Sequence, residues 1–141
     1  MQVPEQMRNS FVKCWLGLTL LGALSGCGKP ISKSDLPGTY VADSKFATDT
    51  VTVKDNGQFI QNVKVKAGGK VAVTNGTWHF NQGDQDIVFD ENFMEVVNGF
   101  GEMATNFDHP ATRAVSILPV RRSFGNLQIG VDPTIPYKKQ P

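Results

Sequence analysis

The chain has 141 residues, of which 40% are hydrophobic and 19% charged, with two cysteines and a formal charge of +1. That length holds one domain, and a core of this size closes without a metal or a disulfide. The near-zero charge argues against a nucleic-acid partner, because such proteins bind by displacing counterions with a basic excess.

The first 26 residues read as an export leader. Arg8 and Lys13 flank a short polar stretch, then Cys14 to Leu24 runs apolar, and the small residues Ser25 and Gly26 precede Cys27. The apolar run is about 11 residues, whereas a helix needs about 20 to cross the hydrocarbon core, so the segment is expected to be a signal and not a permanent span. Glu5 is unusual beside a basic start, and Met7 opens a more ordinary leader, so both Met1 and Met7 stand as starts.

Leu24-Ser25-Gly26-Cys27 resembles the lipobox of bacterial lipoproteins. The resemblance implies cleavage between Gly26 and Cys27, with diacylglycerol and an N-acyl chain carried on Cys27. No other cofactor is implied. Two chains make membrane attachment durable where one is marginal. Cys14 would leave with the leader and Cys27 would be consumed by lipid, so the exported domain would hold no free thiol. The leader also takes Arg8, Lys13 and Glu5 with it, leaving twelve basic and twelve acidic residues. In Gram-negative lipoproteins an aspartate after the cysteine favours the inner membrane. Gly28 here implies the outer membrane facing the periplasm, or the plasma membrane in a Gram-positive cell.

Residues 27–35 are expected to be the lipidated terminus and a short polar tether, and 36–131 the folded domain. Runs rich in β-branched and aromatic residues recur there between Gly, Asn and Asp clusters, the punctuation of antiparallel β structure. Strands are predicted at Gly38 to Val41, Asp49 to Lys54, Gln58 to Val65, Lys70 to Phe80 and Asp86 to Asp90. Asp55-Asn56-Gly57 supplies the positive φ of a tight hairpin, Ala67-Gly68-Gly69 the next turn and Asn81 to Asp84 another. On the third strand Phe59, Val63 and Val65 share one side.

From Glu91 to Gly101 the apolar spacing of Phe93, Met94, Val96, Val97 and Phe100 predicts a short helix or an excursion, which Asn98-Gly99 and Gly101 would end early. Strands resume at Arg113 to Val120 and Asn126 to Val131, around Ser123-Phe124-Gly125. Residues 132–141 are expected to be an irregular tail, with Asp132-Pro133 and Ile135-Pro136 ending regular structure.

The resulting fold class is mainly β, with about seven antiparallel strands forming a curled sheet, a half-barrel or a small barrel. Leu36-Pro37-Gly38-Thr39-Tyr40, the hairpin from Asn56 to Phe59, and Gly76-Thr77-Trp78 resemble the lipocalin-like envelope domains, in which a Gly-x-aromatic entry plugs one barrel end.

Candidate chemistry is sparse. His79 and His109 lie thirty residues apart, and His79 is expected to point away from the rings of Trp78 and Phe80 on an alternating strand. Asp84, Asp86, Asp90 and Glu91 are the densest acidic group, but Gly83 precedes them and Ile87 to Phe89 interrupts them, which is not the order a calcium loop needs. Ser32, Ser34, Ser44, Ser116 and Ser123 lie in no nucleophile-elbow context. Arg121-Arg122 and Lys138-Lys139 offer two basic pairs for an anionic head group or for surface solvation.

The expectation is therefore a non-enzymatic envelope lipoprotein that binds a partner protein or envelope component. Carriage of a small apolar ligand in a lipocalin-like cup is the first alternative, with Glu91 to Asp108 as lid or wall. An inhibitor or immunity-type lipoprotein is the second.

Overall fold

Two-residue alternation of buried and more exposed side chains, clearest over residues 47–53 and 58–64, sets the architecture, because it gives a strand one face to bury. The structure, a computed structural model, describes residues 29–96, 115–130 and 135–141. Eight strands form a closed antiparallel barrel in chain order: β1 Gly38–Asp43, β2 Ala47–Val53, β3 Gln58–Val65, β4 Val71–Asn81, β5 Asp86–Phe89, β6 Ser116–Ser123, β7 Asn126–Ile129 and β8 Tyr137–Lys139. Each strand pairs with the next, and β1 pairs with β8 to close the ring. Closure removes the edges at which an open sheet recruits other chains.

The expected count of about seven strands falls one short. The eighth lies in the stretch expected to be an irregular tail, where Tyr137–Lys139 pairs with β7 through Ile129↔Tyr137 and with β1 through Tyr40↔Lys139. Three residues directly behind Pro136 show no readable alternation, yet without them β1 and β7 would each present an unpaired ladder. β4 runs unbroken through Asn75-Gly76, with Ala72, Thr74, Gly76, Trp78 and Phe80 inward and Val71, Val73, Asn75, Thr77 and His79 outward. β6 continues three residues past the predicted Val120, and residues 113 and 114 lie outside the described ones.

The tether expectation also needs correction. Ile31 is 6% exposed and belongs to the core, so the folded unit starts at Ile31 rather than Leu36. A 3-10 turn, Lys33–Asp35, follows, and Asp35 Oδ2 accepts hydrogen bonds from Ser32 N and Ser32 Oγ at 3.0 Å each. Arg122 Nη2 reaches the same oxygen at 3.2 Å and Lys139 Nζ donates to the Asp35 carbonyl at 2.6 Å. Tyr40, fully buried, donates from its hydroxyl to Leu36 O at 2.7 Å. The two basic pairs, expected to meet an anionic head group or to solvate the surface, thus lend Arg122 and Lys139 to a clamp on the entry segment.

Inside, Phe59 and Phe89 meet edge to face at 4.8 Å, and Phe93 stacks on Phe89 at 4.2 Å. Phe93 arrives from Glu91–Val96, which runs inward without helical structure; residues 97–101 of the predicted helix lie outside the described ones. Asn92, at φ +58°, breaks any helix there, and its side-chain amide donates to Asn75 O at 3.2 Å. Gly76 makes room for this segment, since a Cβ there would stand 2.8 Å from Glu91 O and 2.9 Å from Phe59 Cε1. Gly76→Ala is expected to lower unfolding free energy by about 2 kcal/mol, the range for overpacking a filled core. Urea denaturation checks this, and an unchanged midpoint would contradict the close approach.

Candidate functional site

Alternation turns residues 47, 49, 51 and 53 of β2 and 59, 61 and 63 of β3 toward the interior, and two of these seven are polar: Asp49 and Gln61. Register places Asp49 opposite Val63 and Gln61 opposite Val51, so the two side chains lie in adjacent layers of one interior wall. They divide the core. On one side lies the aromatic cluster with Val51, Val53 and Phe59, and on the other the smaller cluster of Ala47, Val63, Met94 and Val96.

Gln61 is fully buried and uses its whole amide. Nε2 donates to Asp49 Oδ2 and to Met94 O, each at 2.8 Å, while Oε1 accepts from Met94 N at 2.8 Å and lies 3.5 Å from Thr74 Oγ1. Its pair of bonds to one residue's N–H and C=O copies the exchange between paired strand residues, so a side chain holds Met94 as a neighbouring strand would. That substitution seats the segment carrying Phe93, Met94 and Val96 inside the barrel.

Asp49 is 2% exposed. Its Oδ2 accepts from Gln61 and from Tyr137 Oη at 2.5 Å, whereas its Oδ1 has no hydrogen-bond partner among the described residues. The two oxygens are thus unequal, one with two donors and the other with none, so the negative charge of the ionised form is only half met by hydrogen bonds. Burial pushes the Asp49 pKa up to about 7, against the lowering effect of the hydrogen bonds from Tyr137 and Gln61. Burial, followed by the charge of Asp49, holds the Tyr137 hydroxyl well above its ordinary value. Tyr137 belongs to the closing strand, so this hydrogen bond joins β8 to β2 across the interior.

The residues singled out from sequence go elsewhere. Cys27 and Gly26, the expected lipidation and cleavage positions, lie outside the described residues, as does His109. His79 is exposed on the outer face, away from inward Trp78 and half-buried Phe80, and its Nδ1 is 2.9 Å from Asp90 Oδ1. Thr77 Oγ1 donates to Asp90 Oδ2 at 3.1 Å, so Asp90 fastens the end of β5 to β4. Asp84 accepts from Asn81 Nδ2 within its own turn. Among the described residues no three His, Cys, Asp or Glu side chains converge as metal ligands would. Ser44 serves the β1–β2 turn: its Oγ accepts from Phe46 N and Ala47 N and donates to Ala47 O.

The polar layer went unread in the sequence, although its signal is present. Val51 and Val53 fix the inward parity of β2, and Asp49 shares it; Phe59 and Val63 fix that of β3, and Gln61 lies between them. Tyr137 carried no comparable signal. Comparison with protein-family models, with curated proteins and with solved structures returns no match for the chain.

Proposed function

We propose that this protein is a non-enzymatic cell-envelope lipoprotein, tethered through Cys27, whose barrel binds a partner protein or envelope component on its outer surface. One observation carries the surface reading: the interior is occupied by the chain's own Tyr40, Phe59, Phe89 and Phe93, with Met94 held there by Gln61. A small barrel filled in this way favours recognition by its exterior over carriage of a ligand within. Outward Val71 and Val73 on β4 stand more than half exposed, apolar positions that a partner would cover.

Anchoring rests on the order of charge, apolar run, small residues and cysteine in residues 8–27. Cys27→Ser is expected to abolish lipid attachment and the processing that depends on it, so that the variant accumulates with its leader uncleaved. Gel mobility and metabolic labelling with a fatty acid check this; a Cys27→Ser protein processed and labelled like the parent would sink the anchor. For the surface, a photo-crosslinking residue at Val73 in cells should yield a discrete adduct absent from the same probe at Asn56 in the β2–β3 turn. Failure of both probes to give any adduct would count against a partner on this face.

Carriage of a small apolar ligand stands as the second reading, and one observation favours it: Asp49 Oδ1 is a buried carboxyl oxygen with no hydrogen-bond partner among the described residues, a place for the polar end of an otherwise apolar molecule. A stoichiometric small molecule in the native mass spectrum of the purified protein would move the assignment there.

A further inference from the structure

The β6–β7 hairpin combines two unfavourable features in one residue. Ser123 pairs with Asn126, leaving a two-residue loop of Phe124 at φ +49° and Gly125 at φ +84°, as in a type I′ turn. Gly125 takes that conformation freely. Phe124 does not, because a left-handed backbone crowds its Cβ, and Asn or Gly is the usual occupant. The same ring stands fully in solvent, whereas Tyr40, Phe59, Trp78, Phe89 and Phe93 are buried. A strained, solvated aromatic stabilises nothing in the free fold, and such residues mark places where a second surface is met.

Its position indicates which surface. Strands alternate in direction, so the turns at 54–57, 82–85 and 124–125 share the barrel end where β1 begins and β8 finishes. The entry segment is at that end too: Gln82 Nε2 donates to Ile31 O at 2.7 Å, and Arg122, two residues before the tip, holds Asp35. Cys27 precedes Ile31 by four residues, a span of at most about 14 Å.

We infer that Phe124 is a membrane-seating residue, whose ring enters the interfacial layer of the bilayer to which Cys27 is tethered. This rests on the lipid anchor proposed above. The ring contributes apolar area at head-group depth, and Arg121, whose neighbour Arg122 is held by Asp35, can keep its charge among the head groups while its stem lies along the apolar layer. Asp35, Asp55, Asp84 and Asp86 offset four of the six basic residues at this end, Lys33, Lys54, Arg121, Arg122, Lys138 and Lys139, so the field there is only weakly basic and the ring supplies the apolar part of the attraction. The barrel is thereby oriented with these three turns toward lipid and the 66–69 turn outward, which leaves the sides of the barrel open to a partner.

The test places a tryptophan at either end of the lipidated protein, reconstituted in phosphatidylcholine–phosphatidylethanolamine vesicles containing brominated acyl chains, and each emission is read as the difference from the parent, whose own signal is that of buried Trp78. Phe124→Trp emission should be strongly quenched by the brominated lipid, and Ala67→Trp emission unaffected. Phe124→Asn should raise the thermal midpoint, since Asn tolerates the backbone that strains Phe. If the protein floats with vesicles but Phe124→Trp is unquenched, or both probes quench alike, the seating is overturned and the anchor stands. A Phe124→Trp emission shielded without brominated-lipid quenching assigns the tip to a protein contact and also overturns it, as does a lower midpoint for Phe124→Asn. Protein that does not float at all overturns the anchor and the seating together.

Discussion

Gln61→Leu is expected to lower the unfolding free energy by about 4 kcal/mol, although leucine matches the size of the side chain it replaces. The loss comes from what is left behind. Met94 N and O lose their partners inside the barrel, and Asp49 Oδ2 loses one of two donors. Each buried polar group stripped of its hydrogen bond costs about 1–3 kcal/mol, so the two Met94 groups left bare, with Asp49 Oδ2 reduced to the bond from Tyr137, outweigh any gain from the added apolar surface. The expected consequence is local as well as global: amide exchange at Met94 should accelerate more than at Phe59, whose neighbours stay in place. A Gln61→Leu protein with unchanged urea midpoint would contradict the role of the amide as a surrogate strand.

Stability should fall as pH rises from about 4 to about 7, and Asp49 is the cause. Its folded pKa is raised to about 7 from an ordinary 3.8. Below the lower value both folded and unfolded chains hold the proton, and the contribution of this group is fully present. Between the two values the unfolded chain releases its proton while the folded chain keeps it, so unfolding is favoured progressively until the folded carboxyl also ionises. At 1.36 kcal/mol per unit, a window of this width is worth at most about 4 kcal/mol. Asp43 works in the other direction, being exposed and held low by Thr48 and Lys66, and it contributes little. Asp49→Asn should flatten the profile across this range. Unfolding free energies from pH 4 to pH 8 for both proteins check the sign; a parent stability that rises with pH by the same amount as the variant would contradict a buried neutral carboxyl.

The same layer explains how much of this fold was legible in the sequence. The hairpins were, because Asp55-Asn56-Gly57 and Ser123-Phe124-Gly125 mark reversals locally and the alternation of Thr and Val in β2 is unmistakable. β4 was also legible as one long strand, since Ala72, Thr74, Trp78 and Phe80 keep one parity through Gly76. What could not be read depends on distant partners. Whether the sheet closes is decided by Tyr137–Lys139, three residues whose pairing with Tyr40 and Val41 spans nearly the whole domain. Glu91–Val96 has helical spacing, yet its path is imposed by Gln61 thirty-three residues earlier and by the space above Gly76. Tertiary hydrogen bonds override local preference there.

Charge patterning misled for a related reason. Arg121-Arg122 and Lys138-Lys139 look like solvent-facing pairs, but on a strand neighbouring residues point to opposite faces. Arg122 and Lys139 consequently reach Asp35 at the barrel mouth, where desolvation lowers the Lys139 pKa, while exposed Lys138 remains in solvent. The functional reading draws on both sources. The filled interior comes from the folded chain, and the proposed anchor rests on residues 24–27, whose lipobox-like order would place a thioether on Cys27.

The most direct test is the intact mass of the protein recovered from membranes. A mature chain that begins at Cys27 and carries the added mass of diacylglycerol and a third acyl chain, or of diacylglycerol alone in a cell that does not N-acylate, is the expected result. A terminus at any other residue with no acyl mass would contradict the lipoprotein account.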